Sequence, residues 1–445
     1  MDKYKDLRNK YLEFFYKGYN IEKADNEIKV IYDFEIKGLS EFHPTWTFPV
    51  NNQIITSAEL IENIVFNLGM VELISYWKIT CSPKVYVQCG KLTEEQTKWW
   101  KKLYFKGLGE FFYVNSINAD YDTFMSIESS GATHKPHNSE TTGKAVLIPV
   151  GGGKDSAVTL ELLKDFDRYP YIMNSRGATE TTVVAANLED KTIRVKRTLD
   201  KNMLELNKQG YLNGHTPFSA LVAFSSILVS HLMGMEYVAL SNESSANEST
   251  VNGSDVNHQY SKSYEFEKDF NEYEKKYINS GVLYFSFLRP LSEYQIAMIF
   301  SHLTAYHDIF RSCNAGSKQD IWCGKCPKCL FVFLIMSAHF DHDRLVEIFG
   351  TDILEDEDML EDFKKLIGIL PEKPFECVGS RDEINFSICK AIEKMNELPK
   401  LFEYYKTTEL YEKYSALPNP YLTYYNEENY LEEKFRKVLQ NHLGI

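Results

Sequence analysis

A short run of glycines and polar residues has the composition and spacing needed to bind phosphate. It follows the apolar segment 145–150, precedes a helical pattern, and consists of Gly151, Gly152, Gly153, Lys154, Asp155 and Ser156. This pattern predicts a buried strand, a tight loop and a helix opening at Ser156. Glycines let backbone N–H groups approach a ligand closely, and a helix N-terminus carries partial positive charge. We therefore predict that the loop binds phosphate.

Three known phosphate loops can be compared with this run. The Walker loop requires Ser or Thr directly after Gly-Lys, where this chain has Asp155. The dinucleotide fingerprint requires Gly or Ala at the position of Ser156. The run resembles instead the Ser-Gly-Gly-x-Asp-Ser loop of the PP-loop ATP enzymes, with Gly151 replacing the first serine. That family cleaves ATP between the α and β phosphates and leaves AMP on a substrate oxygen. A glycine-rich turn without a ligand is the alternative.

Four cysteines form a second constellation, with the spacing of a metal site. They are spaced C-x9-C-x2-C-x2-C, at Cys313, Cys323, Cys326 and Cys329. Four thiolates in a reducing compartment are typical of a closed tetrahedral zinc site, with an iron–sulfur cluster or free thiols as alternatives. We predict a structural Zn²⁺ that fastens the last helices to the sheet. The other cysteines are scattered, and we expect core positions for most of them.

Length and composition narrow the class of protein. With 445 residues the chain is long enough for two or three domains, and its residue usage is that of a soluble globular protein. The first residues lack an apolar signal segment, and no apolar run reaches membrane-spanning length. A net charge of −14 argues against a broad nucleic-acid interface. We therefore expect a cytoplasmic protein with no nucleic-acid or membrane partner.

The order of the predicted elements indicates an α/β fold with three regions. Residues 1–142 are rich in aromatics and predict a separate α+β domain, in which 57–73 forms an amphipathic helix capped by Ser57. Residues 143–335 alternate between strand and helix, as a PP-loop parallel sheet of the adenine nucleotide alpha hydrolase type requires, and they carry the four cysteines. Residues 336–445 are predicted to form a helical region.

Polar residues at predicted strand ends extend the candidate site. We predict strands at 182–186 and 236–240. Asn187 ends the first of these strands, and Asn242 and Glu243 follow the second. Open α/β sheets bind ligands at the carboxyl ends of their strands. The loop with Asn242 and Glu243 is therefore predicted to lie where a ligand binds.

A further polar segment, 257–263, contains His258 and Lys262 and lies close in sequence to the second strand end. An imidazole and an amine can transfer protons, and Lys262 could equally bind a phosphate or carboxylate. A solvated surface loop is the alternative, because surface loops and active-site loops share this composition.

The chain resembles the MurL family over nearly its whole length. The resemblance lies in the runs 67–78, 107–113, 151–156, 241–247, 257–263, 322–333 and 375–379. It includes the region before the glycine loop. This coverage separates the family from enzymes similar to 7-cyano-7-deazaguanine synthase, which resemble only residues 151–329.

The resemblance implies an ATP-dependent UDP-N-acetylmuramoyl-L-alanyl-L-glutamate epimerase of peptidoglycan precursor synthesis. ATP would adenylate the terminal L-Glu carboxylate of the UDP-linked muramoyl dipeptide and release pyrophosphate. The activated α-carbon would exchange its proton, and water would then release AMP, without a pyridoxal or redox cofactor. The alternatives are a ligase similar to the deazaguanine enzymes that activates another carboxylate, and a non-catalytic nucleotide and zinc module.

The resemblance also implies roles for individual residues. Lys154 would neutralise phosphate charge, and Asp155 would hold Mg²⁺ directly or through water. His258 and Lys262 would be the candidates for proton transfer. The nucleotide would contact a larger set: Gly151, Gly152, Gly153, Ser156, Asn187, Asn242 and Glu243.

Overall fold

The computed structural model describes residues 2–50, 57–137, 143–247, 260–374, 376 and 378–444. The chain forms two compact units, and each is assembled from three separate segments. The first comprises Met1–Leu147, Ile193–Val238 and Gln259–Tyr284, and the second comprises Ile148–Thr192, Ala239–His258 and Phe285–Ile445. The three-region division expected from the sequence stays a prediction.

The described part of the chain contains many helices and a mixed β-sheet, so the α/β class is confirmed. The strands are β1 (Glu13–Lys23), β2 (Glu27–Ile36), β3 (Ser40–Phe42), β4 (Thr45–Pro49), β5 (Lys84–Val87), β6 (Ser126–Ser129), β7 (Val146–Pro149), β8 (Arg168–Met173), β9 (Ile193–Thr198), β10 (Tyr237–Leu240) and β11 (Leu283–Ser286). The α-helices are α1 (Lys3–Lys10), α2 (Ala58–Trp77), α3 (Glu94–Gly107), α4 (Gly109–Val114), α5 (Lys154–Leu162), α6 (Gly177–Ala185), α7 (Lys201–Lys208), α8 (Phe218–Met233), α9 (Tyr264–Tyr273), α10 (Glu293–Ser301), α11 (Pro327–Ser337), α12 (His342–Phe349), α13 (Leu360–Ile367), α14 (Arg381–Ile392), α15 (Lys400–Lys406), α16 (Glu409–Ser415) and α17 (Glu433–Leu443).

The first unit is built on strands in the order β6-β5-β1-β2-β4-β9, with β3 paired to β2. Its pairs are antiparallel except β1–β5 and β5–β6, which are parallel. Every second residue of β2 is buried, as the two-residue period of a strand requires. These buried positions carry Ile28, Val30, Tyr32, Phe34 and Ile36. The aromatic-rich sequence before the glycine loop thus forms the core of this unit.

The helix α2 packs against β1, β2 and α8. Ser57 caps it by accepting a hydrogen bond from the Leu60 N–H, so the predicted N-cap is confirmed. The predicted amphipathic character is wrong, because every residue from 63 to 77 is buried. A Cβ at Gly69 would lie 2.0 Å from the Tyr16 hydroxyl, so only glycine allows the helix to approach the sheet this closely.

The second unit contains β8 and the C-terminal ends of β7, β10 and β11. The strand order is β11-β10-β7-β8, and β10 pairs with β7 in parallel. The strands predicted at 145–150 and 236–240 are therefore present, with slightly shorter bounds. Because β7 and β10 run in the same direction, the loops that follow them leave the sheet at the same edge. This edge carries the glycine loop and the polar segment that begins at residue 241.

The strand predicted at 182–186 is wrong, since residues 182–185 belong to α6 and Ala186 is its C-cap. Threonine and valine in this segment favour a strand, but tertiary contacts override that preference. The Asp320 carboxylate accepts a hydrogen bond of 3.0 Å from the Ala178 N–H in the first turn of α6. A negative charge there stabilises the helix. Asn187 accordingly follows a helix rather than a strand, and it has φ of +54°.

Candidate functional site

Backbone contacts shape the glycine loop between β7 and α5. Gly152 has φ of +83°, and a Cβ there would lie 2.8 Å from the Ala178 Cβ. The Gly152 carbonyl accepts a hydrogen bond of 2.8 Å from the Arg311 N–H. Both conformation and space therefore require glycine at this position. At Gly151, by contrast, a Cβ would meet nothing within 4 Å, so the serine of the PP-loop pattern would fit there.

The helix α5 begins at Lys154, two residues before the predicted start at Ser156, and Gly153 is its N-cap. The Ser156 hydroxyl donates a hydrogen bond of 3.0 Å to the Gly153 carbonyl. Among the described residues, no side chain accepts a capping hydrogen bond from the first turn of this helix. Its N–H groups and the helix dipole are therefore directed at the loop, which is the arrangement that binds an anion.

The Lys154 amine is buried in contact with carboxylates. Its side chain is 4% exposed and forms ion pairs with Asp155 and with Glu293, which is also 4% exposed. Burial alone would lower the pKa of Lys154, but the two carboxylates outweigh this effect and raise the pKa, so the amine stays charged. Burial raises the pKa of Glu293, and the charges of Asp155 and Glu243 act in the same direction. Lys154 thus contacts two carboxylates, and Glu293 also experiences the charges of Glu243 and Lys328.

Glu293 is held in place by the start of α10 and by a second buried acid. Ser292 and Gln295 form a capping box at this helix start. The Glu383 carboxylate accepts hydrogen bonds from the N–H groups of Glu293, at 2.6 Å, and Ser380, at 2.7 Å. Glu383 therefore fixes the backbone from which the Glu293 side chain reaches Lys154.

The loop after β10 brings the predicted residues Asn242 and Glu243 to this unit's sheet edge, and both are buried. The Asn242 amide donates to the Ser286 hydroxyl at 3.0 Å. The fully buried Arg289 donates to the Glu243 carbonyl at 2.8 Å. The Glu243 carboxylate accepts a hydrogen bond of 3.0 Å from Ser245. These contacts hold the loop rigidly where a ligand of the parallel strands would bind.

A segment near the C-terminus reinforces the same loop. The hydroxyl groups of Ser244 and Tyr424 are 2.6 Å apart, and the Asn426 amide donates to Ser244 at 3.1 Å. The Gln295 side chain donates to the Tyr424 carbonyl at 2.8 Å. The chain that follows α16 is therefore part of the support of this site.

The four cysteines lie together in the geometry of a tetrahedral site. All four sulfur atoms lie within 4.8 Å of one another. The Cys313–Cys326 and Cys323–Cys329 Sγ distances are 3.8 Å and 3.7 Å. Bonds of about 2.3 Å to a tetrahedral zinc ion place two sulfurs about 3.8 Å apart. The Gly316 N–H donates to the Cys313 sulfur at 3.1 Å, as suits a thiolate. The cluster could therefore hold a metal ion such as zinc.

The remaining predicted site residues fall in different places. His258 lies outside the described residues. Lys262 ends a short 3-10 helix, Tyr260–Lys262, in the first unit and is partly exposed. Asn187 follows α6 rather than a strand, and its nucleotide contact stays a prediction.

The sequence reasoning missed Glu293, Arg289 and Glu383. A signal was present for Arg289 and Glu293, because both closely follow β11 along the chain, and residues after the carboxyl end of a strand often bind ligands in α/β sheets. Glu383 is distant in sequence from the other site residues, and nothing in its local pattern indicates more than a helix N-terminus. None of the described helices is long and apolar enough to cross a bilayer.

Comparison with known proteins identifies the family. Residues 5–287 match the model of the MurL N-terminal domain, and residues 309–405 match that of the MurL C-terminal domain. No solved structure matches the chain.

Named relatives agree with these matches. A UDP-N-acetyl-alpha-D-muramoyl-L-alanyl-L-glutamate epimerase of Salinispora tropica is 34% identical over 343 residues, which cover 75% of this chain and 73% of the relative. A protein of the same name from Xanthomonas oryzae is 32% identical over 74% of this chain and 74% of its own length. Another from Micromonospora is 31% identical over 83% of this chain and 84% of its own length. The chain belongs to the MurL family.

Proposed function

We propose that this protein is an ATP-dependent epimerase that inverts the α-carbon of the terminal L-Glu of UDP-MurNAc-L-Ala-L-Glu, in peptidoglycan precursor synthesis. ATP adenylates the Glu carboxylate, pyrophosphate leaves, and hydrolysis after inversion releases AMP. The observation that carries the proposal is the glycine loop at the start of α5 with the buried, charged Lys154 beside it. The printed names of the relatives support the epimerase activity and the substrate.

The glycine loop suits the phosphates of ATP. The loop glycines, Gly151, Gly152 and Gly153, and the first turn with Ser156 offer N–H groups, and Lys154 adds a full positive charge. Developing charge on a leaving pyrophosphate is stabilised best by groups that are already oriented in a buried site. Glu293 and Glu383 orient Lys154 through the contacts described above. Asn242 and Glu243 would contact the rest of the nucleotide, and Asn187 is a further candidate.

The carboxylates beside Lys154 fit a magnesium ion. Asp155 and Glu293 both contact Lys154, and Glu243 acts electrostatically on Glu293. Carboxylate oxygens are the ligands that Mg²⁺ prefers. When bound, Mg²⁺ would neutralise charge on the phosphates. Asp155 is the residue best exposed to hold it, with 33% of its side chain accessible.

Adenylation explains how an α-proton of glutamate becomes acidic. A carboxylate anion opposes a second negative charge on the neighbouring carbon, whereas an acyl adenylate withdraws electrons from it. One group can then remove the proton and another can return it on the opposite face. His258 and Lys262 are the groups that the sequence proposes for this step, and Lys262 is equally suited to bind an anionic part of the substrate.

We infer that the four-cysteine cluster holds a structural zinc ion. Pro327 follows Cys326, the N-cap of α11, so a metal there would fasten the start of this helix. Asp320, which lies between Cys313 and Cys323 in the sequence, accepts a hydrogen bond from α6, and Arg311, which precedes Cys313, donates one to the glycine loop. The zinc would thereby support the loop without entering the reaction. A nucleotide-linked substrate and ATP also favour a cytoplasmic location.

The test uses purified full-length protein with ATP, Mg²⁺ and UDP-MurNAc-L-Ala-L-Glu. The expected products are AMP and pyrophosphate, formed only with the substrate present, together with D-Glu detected by chiral analysis after hydrolysis. Formation of ADP and orthophosphate would contradict the proposal. AMP formation that depends on a different carboxylate, without D-Glu, would favour the ligase alternative.

A further inference from the structure

The segment between α16 and α17 lies against the candidate site although it adds nothing to the core. None of residues 416–430 is buried, whereas Tyr414 before them and Leu431 after them are. Burial of apolar side chains is the main force that holds a segment against a fold, so core packing does not explain the position of this one. Its polar contacts with the second unit do. We call residues 419–426 the C-terminal strap.

The first contact of the strap is with the loop that carries Glu243. The hydroxyl groups of Tyr424 and Ser244 are 2.6 Å apart, and the Asn426 amide donates to the Ser244 hydroxyl at 3.1 Å. The Ser244 N–H donates a hydrogen bond of 3.1 Å to the Leu291 carbonyl. The residue next to Glu243 is therefore fastened on one side by the strap and on the other by the chain that leads into α10.

The second contact is with the start of α10, which carries Glu293. The Asn426 N–H donates to the Pro290 carbonyl at 2.9 Å, and the Gln295 side chain donates to the Tyr424 carbonyl at 2.8 Å. These two bonds lie on either side of Glu293 along the chain. The strap therefore fixes the backbone from which this carboxylate reaches Lys154.

The third contact is with the start of α14, which carries Glu383. The hydroxyl groups of Tyr421 and Ser380 are 3.3 Å apart. Ser380 is the N-cap of α14, and its N–H donates to the Glu383 carboxylate at 2.7 Å. The Tyr421 ring lies 5.9 Å from that of Phe386 and 6.5 Å from that of Tyr294. The strap thus contacts all three segments that bring a buried glutamate to the site.

These three segments need a support that carries no charge of its own. Glu243, Glu293 and Glu383 are all buried, and the negative charge of Glu243 raises the pKa of Glu293. Like charges on separate segments repel each other, so the segments tend to move apart. The strap holds them through hydroxyl, amide and carbonyl groups, which oppose this repulsion without pairing with the acids.

We propose that the C-terminal strap positions the three glutamate-bearing segments and thereby sets the affinity of the glycine-loop site for ATP, with Tyr424 as its central positioning residue. The inference rests on the proposed function, which assigns ATP to this site. Tyr424 contacts the loop through its hydroxyl and α10 through its carbonyl. Loss of the hydroxyl frees Ser244 and with it the neighbouring Asn242 and Glu243. The strap therefore acts on nucleotide binding rather than on the chemical step.

The experiment compares two neighbouring tyrosines in the full-length chain. Tyr424→Phe removes the hydroxyl that contacts Ser244, whereas Tyr425→Phe removes a buried hydroxyl that has no hydrogen-bond partner in the described part of the chain. Pyrophosphate release is measured over a range of ATP concentrations, with Mg²⁺ and UDP-MurNAc-L-Ala-L-Glu in excess. We expect Tyr424→Phe to raise KM for ATP about tenfold with kcat within about threefold, because one hydrogen bond is lost. Tyr425→Phe should leave both constants within about twofold.

A second pair of variants shows whether Tyr424 acts through Ser244. Ser244→Ala removes the same contact from the other side, so it should raise KM for ATP by a similar factor. The double variant should then be no worse than either single variant. Ser244→Ala also keeps the test available if Tyr424→Phe does not fold, which melting curves establish.

Three results would overturn the inference. They are an unchanged KM for ATP in Tyr424→Phe and Ser244→Ala, an equal rise in Tyr425→Phe, and losses that multiply in the double variant. A lower melting temperature with unchanged KM would likewise reduce the strap to a structural role. Absence of pyrophosphate release in the wild-type protein would instead refute the proposed function. Calorimetric titration with ATP and Mg²⁺ would still compare the affinities of the variants in that case.

Discussion

The two units each bury a lysine, and the two lysines have opposite electrostatic surroundings. Lys154 in the second unit contacts two carboxylates, Asp155 and Glu293, and its pKa is raised. Lys78 in the first unit donates to a backbone carbonyl and has Arg197 as a cationic neighbour, and its pKa is lowered to about 8. Burial acts in the same direction on both amines, so the neighbouring charges decide the sign of the shift.

This difference matches two different kinds of chemistry. A permanently charged lysine can neutralise phosphate throughout a reaction, whereas a lysine close to neutrality can accept a proton. The permanent charge of Lys154 therefore suits the proposed binding of phosphate at the glycine loop, whereas the charge of Lys78 is expected to change with pH. The predictions below test whether each lysine depends on its surroundings in this way.

The largest expected effect follows removal of the charge at Lys154. Lys154→Met should reduce pyrophosphate release by about 10³-fold, because an oriented charge at the phosphates is lost. The control is Lys164→Met, at an exposed lysine just after α5, which should keep wild-type turnover. Melting curves of both variants establish that they fold. Turnover within tenfold of wild type in Lys154→Met would contradict the assignment of this lysine to the phosphates.

A smaller effect, on stability, is expected at the cysteine cluster. Cys326→Ser should lower zinc content and destabilise the protein by about 3 kcal/mol, because a metal site that fastens α11 is broken. Cys389→Ala is the control, since Cys389 is buried outside the cluster. Cys389→Ala should lower the free energy of unfolding by about 1 kcal/mol and leave the metal content unchanged. Metal analysis and denaturant unfolding provide the measurements, and a wild-type protein without zinc would refute the site.

The lowered pKa of Lys78 predicts a pH-dependent stability. Its pKa is about 8 in the folded chain, against 10.5 for an unperturbed lysine, so the unfolded chain binds more protons between these values. Stability therefore rises with pH in this window, by at most about 3 kcal/mol relative to Lys78→Met. Denaturant unfolding of both proteins between about pH 7 and about pH 10 measures the difference. A constant difference across this range would show that the lysine stays charged.

The smallest effects concern the glycines of the loop itself. Gly152→Ala should destabilise the protein by about 1–3 kcal/mol and reduce turnover, because φ is positive and the new methyl group would contact Ala178. Gly151→Ser should change the stability by less than about 0.5 kcal/mol and leave turnover within about twofold of wild type, since the space there is open. Thermal melting and pyrophosphate release test the pair, and the reverse order of effects would contradict the loop geometry.

Local features of the chain were predicted well. The N-cap at Ser57 is present, and the strands predicted at 145–150 and 236–240 lie close to their observed positions. These features depend on residues only a few positions apart, which one sequence displays directly. The misassigned strand 182–186 shows the limit of such local prediction. There a contact from Asp320, which is distant in sequence, stabilises a helix against the local preference for a strand.

The sequence by itself determined the glycine loop, the four-cysteine spacing and the family resemblance, because each depends on the types of neighbouring residues. Only the tertiary structure decided which charges surround each buried lysine. Glu293 meets Lys154 because α10 packs against α5, and Glu383 supports it from a helix still farther along the chain. Lys78 lies beside Gly214 and Arg197 because separate segments fold into one unit. Electrostatic interactions depend on distance in space, and that distance is set by packing rather than by position in the sequence.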